Sequence, residues 1–208
     1  MSAALHFEWL GVQPYEPIWQ RLQQHAAALA THEQGEIIWA CEHEPVYTTG
    51  RRAVDNRTQD ELPAPLIRTD RGGETTFHGT GQLMLYPIID LKNRGIAPRR
   101  YVHLLEQSVI DLLMPMAVHA ERICTLPGVW VDGEKIAAIG LRISGGIAYH
   151  GMALNVDVKP EWFDPINPCG TGRKSVSLSR WLNPAPDLAP LAGKWSACLQ
   201  QLLAAEGG

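Results

Sequence analysis

The chain has 208 residues, 45% hydrophobic and 19% charged, which is enough to bury a sizeable core without disulfide staples or a structural metal. Eighteen Lys+Arg against 22 Asp+Glu leave a net charge of −4, which argues against a protein that coats nucleic acid. No run of about 18 apolar residues offers a membrane span, and Met1 to Glu8 lacks the basic and apolar stretches of a secretory signal, so the expected compartment is the cytoplasm. One domain over 1–208 is expected, with a small C-terminal lobe from about residue 160 as the alternative division.

Pro17 to Leu29 carries apolar residues near helical spacing around an alanine-rich middle and predicts a helix. Glu36 to Cys41 is a short apolar run rich in β-formers, hence a buried strand. Leu66 to Asp70 predicts another, closed by the turn signal Arg71-Gly72-Gly73. In Leu83 to Ile89, Pro87 points to an edge strand or a bulge. Pro98 opens an amphipathic helix with Val102, Leu105, Val109 and Leu112 on one face. Val129 to Val131, the turn Asp132-Gly133, and Lys135 to Leu141 form a hairpin. A second turn at Ser144-Gly145-Gly146 leads into Ile147 to Val156, completing a three-stranded meander. After a loop broken by proline and glycine, Leu188 to about Ala205 predicts a final helix with Leu191, Trp195, Cys198 and Leu202 along one stripe. Strands and helices do not alternate strictly, so the expected class is α+β, a mixed and largely antiparallel sheet with flanking helices.

The four cysteines contain no C-x-x-C pair and are expected as free thiols. Cys41, Cys124 and Cys198 sit where packing explains them, whereas Cys169 lies between Pro168 and Gly170 in a loop with little apolar periodicity. It is either a nucleophile or a plain loop thiol. Arg71 to Leu83 gathers four glycines around Arg71 and His78, yet matches neither a phosphate loop nor a dinucleotide fingerprint. It is either a ligand-contacting loop or a hairpin connection. His78 and His150 each precede a glycine and could serve as base, hydrogen-bond donor or packed core histidine. Cys41-Glu42-His43-Glu44 has ligand chemistry without a standard zinc spacing.

Four blocks together resemble the lipoyl(octanoyl) transferase family, the octanoyl-acyl-carrier-protein:protein N-octanoyltransferases. They are His43-Glu44-Pro45-Val46-Tyr47-Thr48-Thr49-Gly50; Arg71-Gly72-Gly73 through His78-Gly79 to Gly81-Gln82-Leu83 and Tyr86-Pro87; Gly133 to Gly140; and His150 to Val156 followed by Ile166-Asn167-Pro168-Cys169-Gly170. The blocks keep order and spacing from about residue 40 to 180. Thr80 stands where the family usually has proline, and Thr171 where it often has an aromatic.

The resemblance implies a biotin- and lipoate-protein-ligase-like fold and a two-step acyl transfer without cofactor or metal. Octanoate would arrive as a thioester on acyl carrier protein. It would leave as an amide on a lysine of a lipoyl domain, in 2-oxoacid dehydrogenase complexes or in the glycine cleavage H protein. Neither nucleic acid nor membrane is implied as a partner, and a monomer is expected. By the same resemblance Cys169 is the acyl-thioester nucleophile, and Lys135 activates its thiolate and serves as general acid/base. The substrate-binding residues carry over to Arg71, Gly72, Gly73, Glu74, Thr75, Thr76, Phe77 and His78, with Ala138, Ile139, Gly140, Gly151, Met152 and Ala153. A free cysteine near pKa ~8.5 is little ionised at neutral pH, and a neighbouring ammonium would raise the thiolate fraction. The small side chains of Ala138, Gly140, Gly151 and Ala153 would leave room for the acyl chain, or would reflect close packing of two strands. Because both protein substrates would be acidic, Arg51, Arg52, Arg94, Arg99 and Arg100 are expected to supply a basic surface. Two rival readings are an ATP-dependent lipoate or octanoate ligase of the same fold and a non-catalytic acyl-binding domain.

Overall fold

The structure, a computed structural model, describes residues 5–51, 53, 58–166 and 174–206. Strand β1 (His6–Gln13) leads through Pro14 into helix α1 (Tyr15–Ala30), and β2 (Ile37–His43) follows. The short strands β3 (Val46–Thr49), β4 (Leu66–Arg68) and β5 (Thr76–His78) precede the long β6 (Gln82–Asp90). Helix α2 (Pro98–Leu113) opens on proline, whose fixed φ suits the first helical turn. Then come β7 (Glu121–Ile123), β8 (Leu126–Val131), β9 (Glu134–Ser144), β10 (Ile147–Asn155) and helix α3 (Leu188–Ala205).

Seven strands form one sheet in the order β1-β2-β6-β10-β9-β8-β7, in which only β1 and β2 run parallel. A second sheet, β4-β3-β5, carries the chain into the Arg71 loop. Period-two alternation divides the main sheet. Trp39, Met84, Tyr86, Ile88, Tyr149 and Ala153 meet Ile18, Leu22, Ala26 and Leu29 of α1. Ile38, Leu83, Leu85, Ile89, Ala148 and Leu154 meet Leu105, Val109 and Leu112 of α2 and Leu191, Trp195 and Leu199 of α3. The Trp195 indole donates to Ser108 Oγ at 2.8 Å, which satisfies the only polar atom of a large buried ring.

The mixed, largely antiparallel sheet agrees with expectation, with three adjustments. Pro87 lies on a central, fully buried strand rather than at an edge. The irregularity it signals is real: pairing between β6 and β10 is interrupted between Ala148–Ile89 and Met152–Leu85, where Pro87 has no N–H to offer. Cys124 is exposed, beside Thr125 at φ +69 in the turn between β7 and β8, and does not pack. The buried stripe of α3 runs through Leu191, Trp195, Leu199 and Leu203, leaving Cys198 and Leu202 half-buried at its margin.

Candidate active site

On the α1 side of the sheet, a narrow slot lies between β9 and β10 below and the Arg71–His78 segment above. It is lined by Lys135, Ala138, Ile139 and Gly140 of β9, by Gly151, Met152 and Ala153 of β10, and by Met84 and Tyr86 of β6. Arg71, Gly73, Glu74, Thr76, His78, Tyr15 and His150 complete it. Most residues of the expected pocket therefore converge. Gly72 lines the adjoining clefts. Thr75 and Phe77 turn the other way, because alternation along β5 sends every second side chain off the slot. Thr75 bonds Thr49 Oγ1 at 3.2 Å, and Phe77 stacks on Trp162 at 4.6 Å.

The two glycines at the slot floor are small for protein packing. A Cβ at Gly151 would stand 1.9 Å from the Leu85 carbonyl oxygen, and one at Gly140 would stand 3.1 Å from Arg71 Cδ and 3.3 Å from the Gly72 carbonyl. Gly140 thus lets the Arg71 loop lie on the sheet, where the Gly72 N–H donates to the Leu141 carbonyl at 2.9 Å. Arg71 is 6% exposed, and its guanidinium is clipped by neutral acceptors. Nε and NH2 reach Thr48 Oγ1 at 3.1 and 2.8 Å, NH2 also reaches the Thr48 and Glu74 carbonyls, and NH1 the Gly72 carbonyl at 2.8 Å. These five bonds fix the loop's shape.

Lys135 stands at one end of the slot, 9% exposed. Its Nζ donates to the Pro127 carbonyl at 3.0 Å and lies 4.7 Å from the centroid of the Trp130 ring. The Pro127–Gly128 peptide is held from its other side, since the Gly128 N–H donates to Glu106 Oε1 at 3.0 Å. A carboxylate on the N–H sharpens the carbonyl as an acceptor, so Glu106 supports the ammonium through one peptide unit. The main chain of Lys135 is paired with the segment after residue 173: its N–H donates to the Lys174 carbonyl and its carbonyl accepts from the Val176 N–H, each at 2.9 Å. Cys169 lies outside the described residues.

A side-chain relay links that segment to the slot. His78 Nδ1–H donates to Gln82 Oε1 at 2.7 Å, Gln82 Nε2 to Asn155 Oδ1 at 2.8 Å, and Asn155 Nδ2 to the Val176 carbonyl at 3.2 Å. Burial, reinforced by the Arg71 charge, holds His78 well below its ordinary pKa, so its ring is neutral. Tyr15 stacks on it at 5.7 Å. Nearby, His43 donates from Nδ1 to the Gln13 carbonyl at 2.9 Å, and its Nε2 accepts from the Tyr86 hydroxyl at 2.8 Å. Burial brings His43 down to about 4. His43 and Glu42 act as structural hydrogen-bond partners, with Glu42 Oε1 accepting from the Gly81 N–H at 2.7 Å.

Sequence reasoning did not single out Asp70, Tyr15 or Met84, and named Tyr86 only within a motif block and not as a site residue. Asp70 Oδ1 accepts from His150 Nε2 and from the Trp19 indole, both at 2.8 Å, and Oδ2 accepts from the Tyr149 hydroxyl. Burial alone would raise its pKa, but these three donors hold the carboxyl far below the usual range. Of the residues expected to supply a basic surface, Arg99 is exposed. Arg94 pairs with Glu36 at 2.6 Å and Arg100 with Glu206 at 2.5 Å, Arg52 lies outside the described residues, and Arg51 joins Arg142 in a polar cleft beside the slot.

The fold is shared by solved protein ligases. Lipoate-protein ligase A bound with ATP superposes with a TM-score of 0.73 at 12% identity, covering 97% of this chain and 86% of that one. A biotin protein ligase from Aquifex aeolicus in complex with biotin and ATP gives 0.61 at 14% identity, covering 96% and 70%. The family model of the lipoyl protein ligase A/B catalytic domain matches residues 17–199. An octanoyltransferase of Aromatoleum aromaticum is 43% identical across 97% of this chain and 87% of its own length. One of Methylococcus capsulatus is 46% identical across 81% of each. The chain belongs to the octanoyltransferases of the lipoyl protein ligase A/B catalytic-domain family and is an enzyme, an acyltransferase. No helix among the described residues is long and apolar enough to cross a membrane.

Proposed function

We propose that this enzyme, acting as a single cytoplasmic domain and a monomer, moves an octanoyl group from acyl carrier protein to a lysine of a lipoyl domain through a thioester on Cys169. The observation that carries the reading is the pairing of Lys135 with Lys174 and Val176, which ties chain a few residues beyond Cys169 to the reactive end of the slot. Lys174 stands five positions after Cys169, and that length of chain spans up to about 17 Å.

In the first step the Cys169 thiolate attacks the thioester carbonyl. A new C–S bond forms, the old one breaks, and the carrier's sulfur leaves with a proton from the Lys135 ammonium. Lys135 is then neutral. In the second step the acceptor amine attacks the acyl-cysteine, a C–N bond forms, the C–S bond breaks, and Lys135 takes the amine's proton. The cycle returns the thiolate and the ammonium together, so no cofactor is consumed. The slot floor and the neutral faces of Tyr86 and Met84 supply an apolar bed for the chain, worth up to about 5–6 kcal/mol at about 0.8 kcal/mol per buried methylene.

The test is intact-mass analysis after incubation with octanoyl-acyl carrier protein. A gain of one octanoyl group, lost in Cys169→Ala and released by added lipoyl domain, is the expected result. Transfer that needs ATP and free octanoate, and that survives in Cys169→Ser, would assign the enzyme to the ligase chemistry instead. Retention of the acyl group without any covalent adduct would make the chain an acyl-binding domain.

A further inference from the structure

His150 is on the wrong face of its strand. Ala148 and Leu154 of β10 point toward α2 and α3, so parity places His150 with them. Its ring instead stacks on Tyr149 at 5.2 Å, lines the slot, and bonds Asp70. The reversal comes from a backbone φ of +60 at a residue that is not glycine. Such a conformation is strained for a residue that carries a Cβ, and strain of this kind concentrates at sites that use it. It falls where pairing with β6 lapses opposite Pro87, while pairing with β9 continues through Leu141–His150.

We propose that His150, clamped by Asp70, is the end stop that sets the length of acyl chain the slot accepts. The inference rests on the reading that the acyl carbonyl lies at Lys135. From there the cross-strand register runs through Ala138–Ala153 and Gly140–Gly151 to Leu141–His150. Lys135 to Gly140 is five residues, about 17 Å at about 3.3 Å each. The lysine side chain takes up roughly 6 Å of this, which leaves about 10 Å, and the seven C–C bonds of an octanoyl chain zigzag to about 9 Å. There the Arg71 side chain covers Gly140, and His150 lines the same slot one register step further on, opposite Leu141.

Neither can step aside. Arg71 is held by Thr48, Gly72 and Glu74. The imidazole is fixed at Nε2 by a carboxylate that itself accepts from Trp19 and Tyr149. Its Nδ1 is buried without a hydrogen-bond partner, so the ring is held by Asp70 and by stacking, and a longer chain would have to break that clamp. A wall that is both fixed and polar rejects two further methylenes, where an apolar and pliable one would adjust around them.

The test uses His150→Gly, the residue best suited to φ +60, which removes the wall while relieving the backbone, and His150→Asn, which tolerates the same φ with a shorter side chain. Affinities for octanoic, decanoic and dodecanoic acids and kcat/KM for the corresponding acyl-carrier-protein thioesters are measured on the full chain. Wild type should disfavour ten carbons against eight by at least about 10-fold, the size of discrimination a pocket achieves per unaccommodated methylene. His150→Gly should raise the decanoyl-to-octanoyl ratio by at least about 10-fold, with His150→Asn between. Unchanged ratios in folded His150→Gly, or equal wild-type affinity for eight and twelve carbons, would overturn the end stop. If the acids show the preference and the variants shift it while no octanoyl is transferred, the end stop stands and the transfer reading falls. If transfer proceeds with unchanged ratios, the reverse holds.

Discussion

Asn155 Nδ2 donates to the Val176 carbonyl at 3.2 Å, while the N–H of the same Val176 donates to the Lys135 carbonyl at 2.9 Å. One residue is thus held from two sides, by an amide on β10 and by the main chain of the lysine at the slot's end. Through Gln82 the same amide answers to His78. Asn155→Ala should leave two buried groups, the Gln82 amide and the Val176 carbonyl, short of a partner, with a stability loss of about 1–3 kcal/mol. Loosening the 174–176 segment should also slow acylation of the enzyme by about 10-fold or more, with the KM for acceptor domain little changed. Single-turnover acylation together with hydrogen exchange at residues 174–178 checks this. An unaltered acylation rate beside faster exchange would show that the relay serves the fold alone.

Lys135 offers a sharper distinction. Its ammonium fits between the Pro127 carbonyl and the Trp130 ring, and Glu106 steadies the peptide that accepts from it. Lys135→Met keeps the stem and removes the proton carrier, so octanoyl transfer should fall by about 10²–10⁴-fold, the usual span for a positioned acid/base. Lys135→Arg keeps the charge but cannot give up its proton, so it should not restore the rate. Recovery of more than a tenth of wild-type kcat in Lys135→Arg would show that positive charge alone suffices. Glu106→Gln retains an acceptor for the Gly128 N–H and should be much milder than Glu106→Ala.

Much of this arrangement could be seen in the sequence because it is local. Asp132-Gly133 marks a turn because both residues take positive φ, at +52 and +78, and the continuous apolar run around Leu85 marks a strand covered on both faces. The amino-terminal strand β1 was hidden, since its parallel partner β2 lies beyond a helix and no local alternation advertises it. Pro87 announced an irregular strand correctly, yet its position at the sheet's centre depends on partners on both sides. Phe77 and Thr75 were grouped with the pocket because a motif is contiguous, whereas a strand divides its residues between two faces. Asp70 could not be singled out, because its importance is conferred by Trp19, Tyr149 and His150, which are distant in the chain or turned by an unusual backbone.

Gly151 and Gly140 separate packing from ligand space. An alanine methyl at Gly151 would collide with main chain at 1.9 Å, which only a shift of β6 against β10 can relieve. Gly151→Ala should therefore cost about 3 kcal/mol or more, or prevent folding. Gly140→Ala meets Arg71 Cδ at 3.1 Å and the Gly72 carbonyl oxygen at 3.3 Å, contacts that a shift of a few tenths of an ångström in the loop relieves without displacing the guanidinium. It should fold, with a smaller shift in melting temperature. Thermal unfolding ranks the two; equal effects would mean that the slot floor is softer than its geometry indicates.

The buried histidines make stability fall on the acid side of neutrality. Burial lowers His43 to about 4, and lowers His78 and His150 as well, so each binds a proton more readily in the unfolded chain, near its ordinary 6.5, than in the fold. Their contribution is therefore complete above about pH 6.5 and is lost as the pH falls from there toward the folded values, because the unfolded state takes up protons first. His43 alone should remove about 3 kcal/mol between pH 6.5 and 4. Asp70 works in the same direction lower down: its carboxyl is depressed in the fold, so its share disappears only below about pH 4, where the unfolded carboxyl protonates. Urea unfolding at pH 7.5, 6.5, 5.5 and 4.5 should show a flat upper limb and a steep lower one, with the slope reduced in His43→Gln, which keeps a donor and acceptor but does not titrate. A stability that is level from pH 6.5 to 4.5 would mean that these rings take up protons as easily inside the fold as outside it, which their burial opposes.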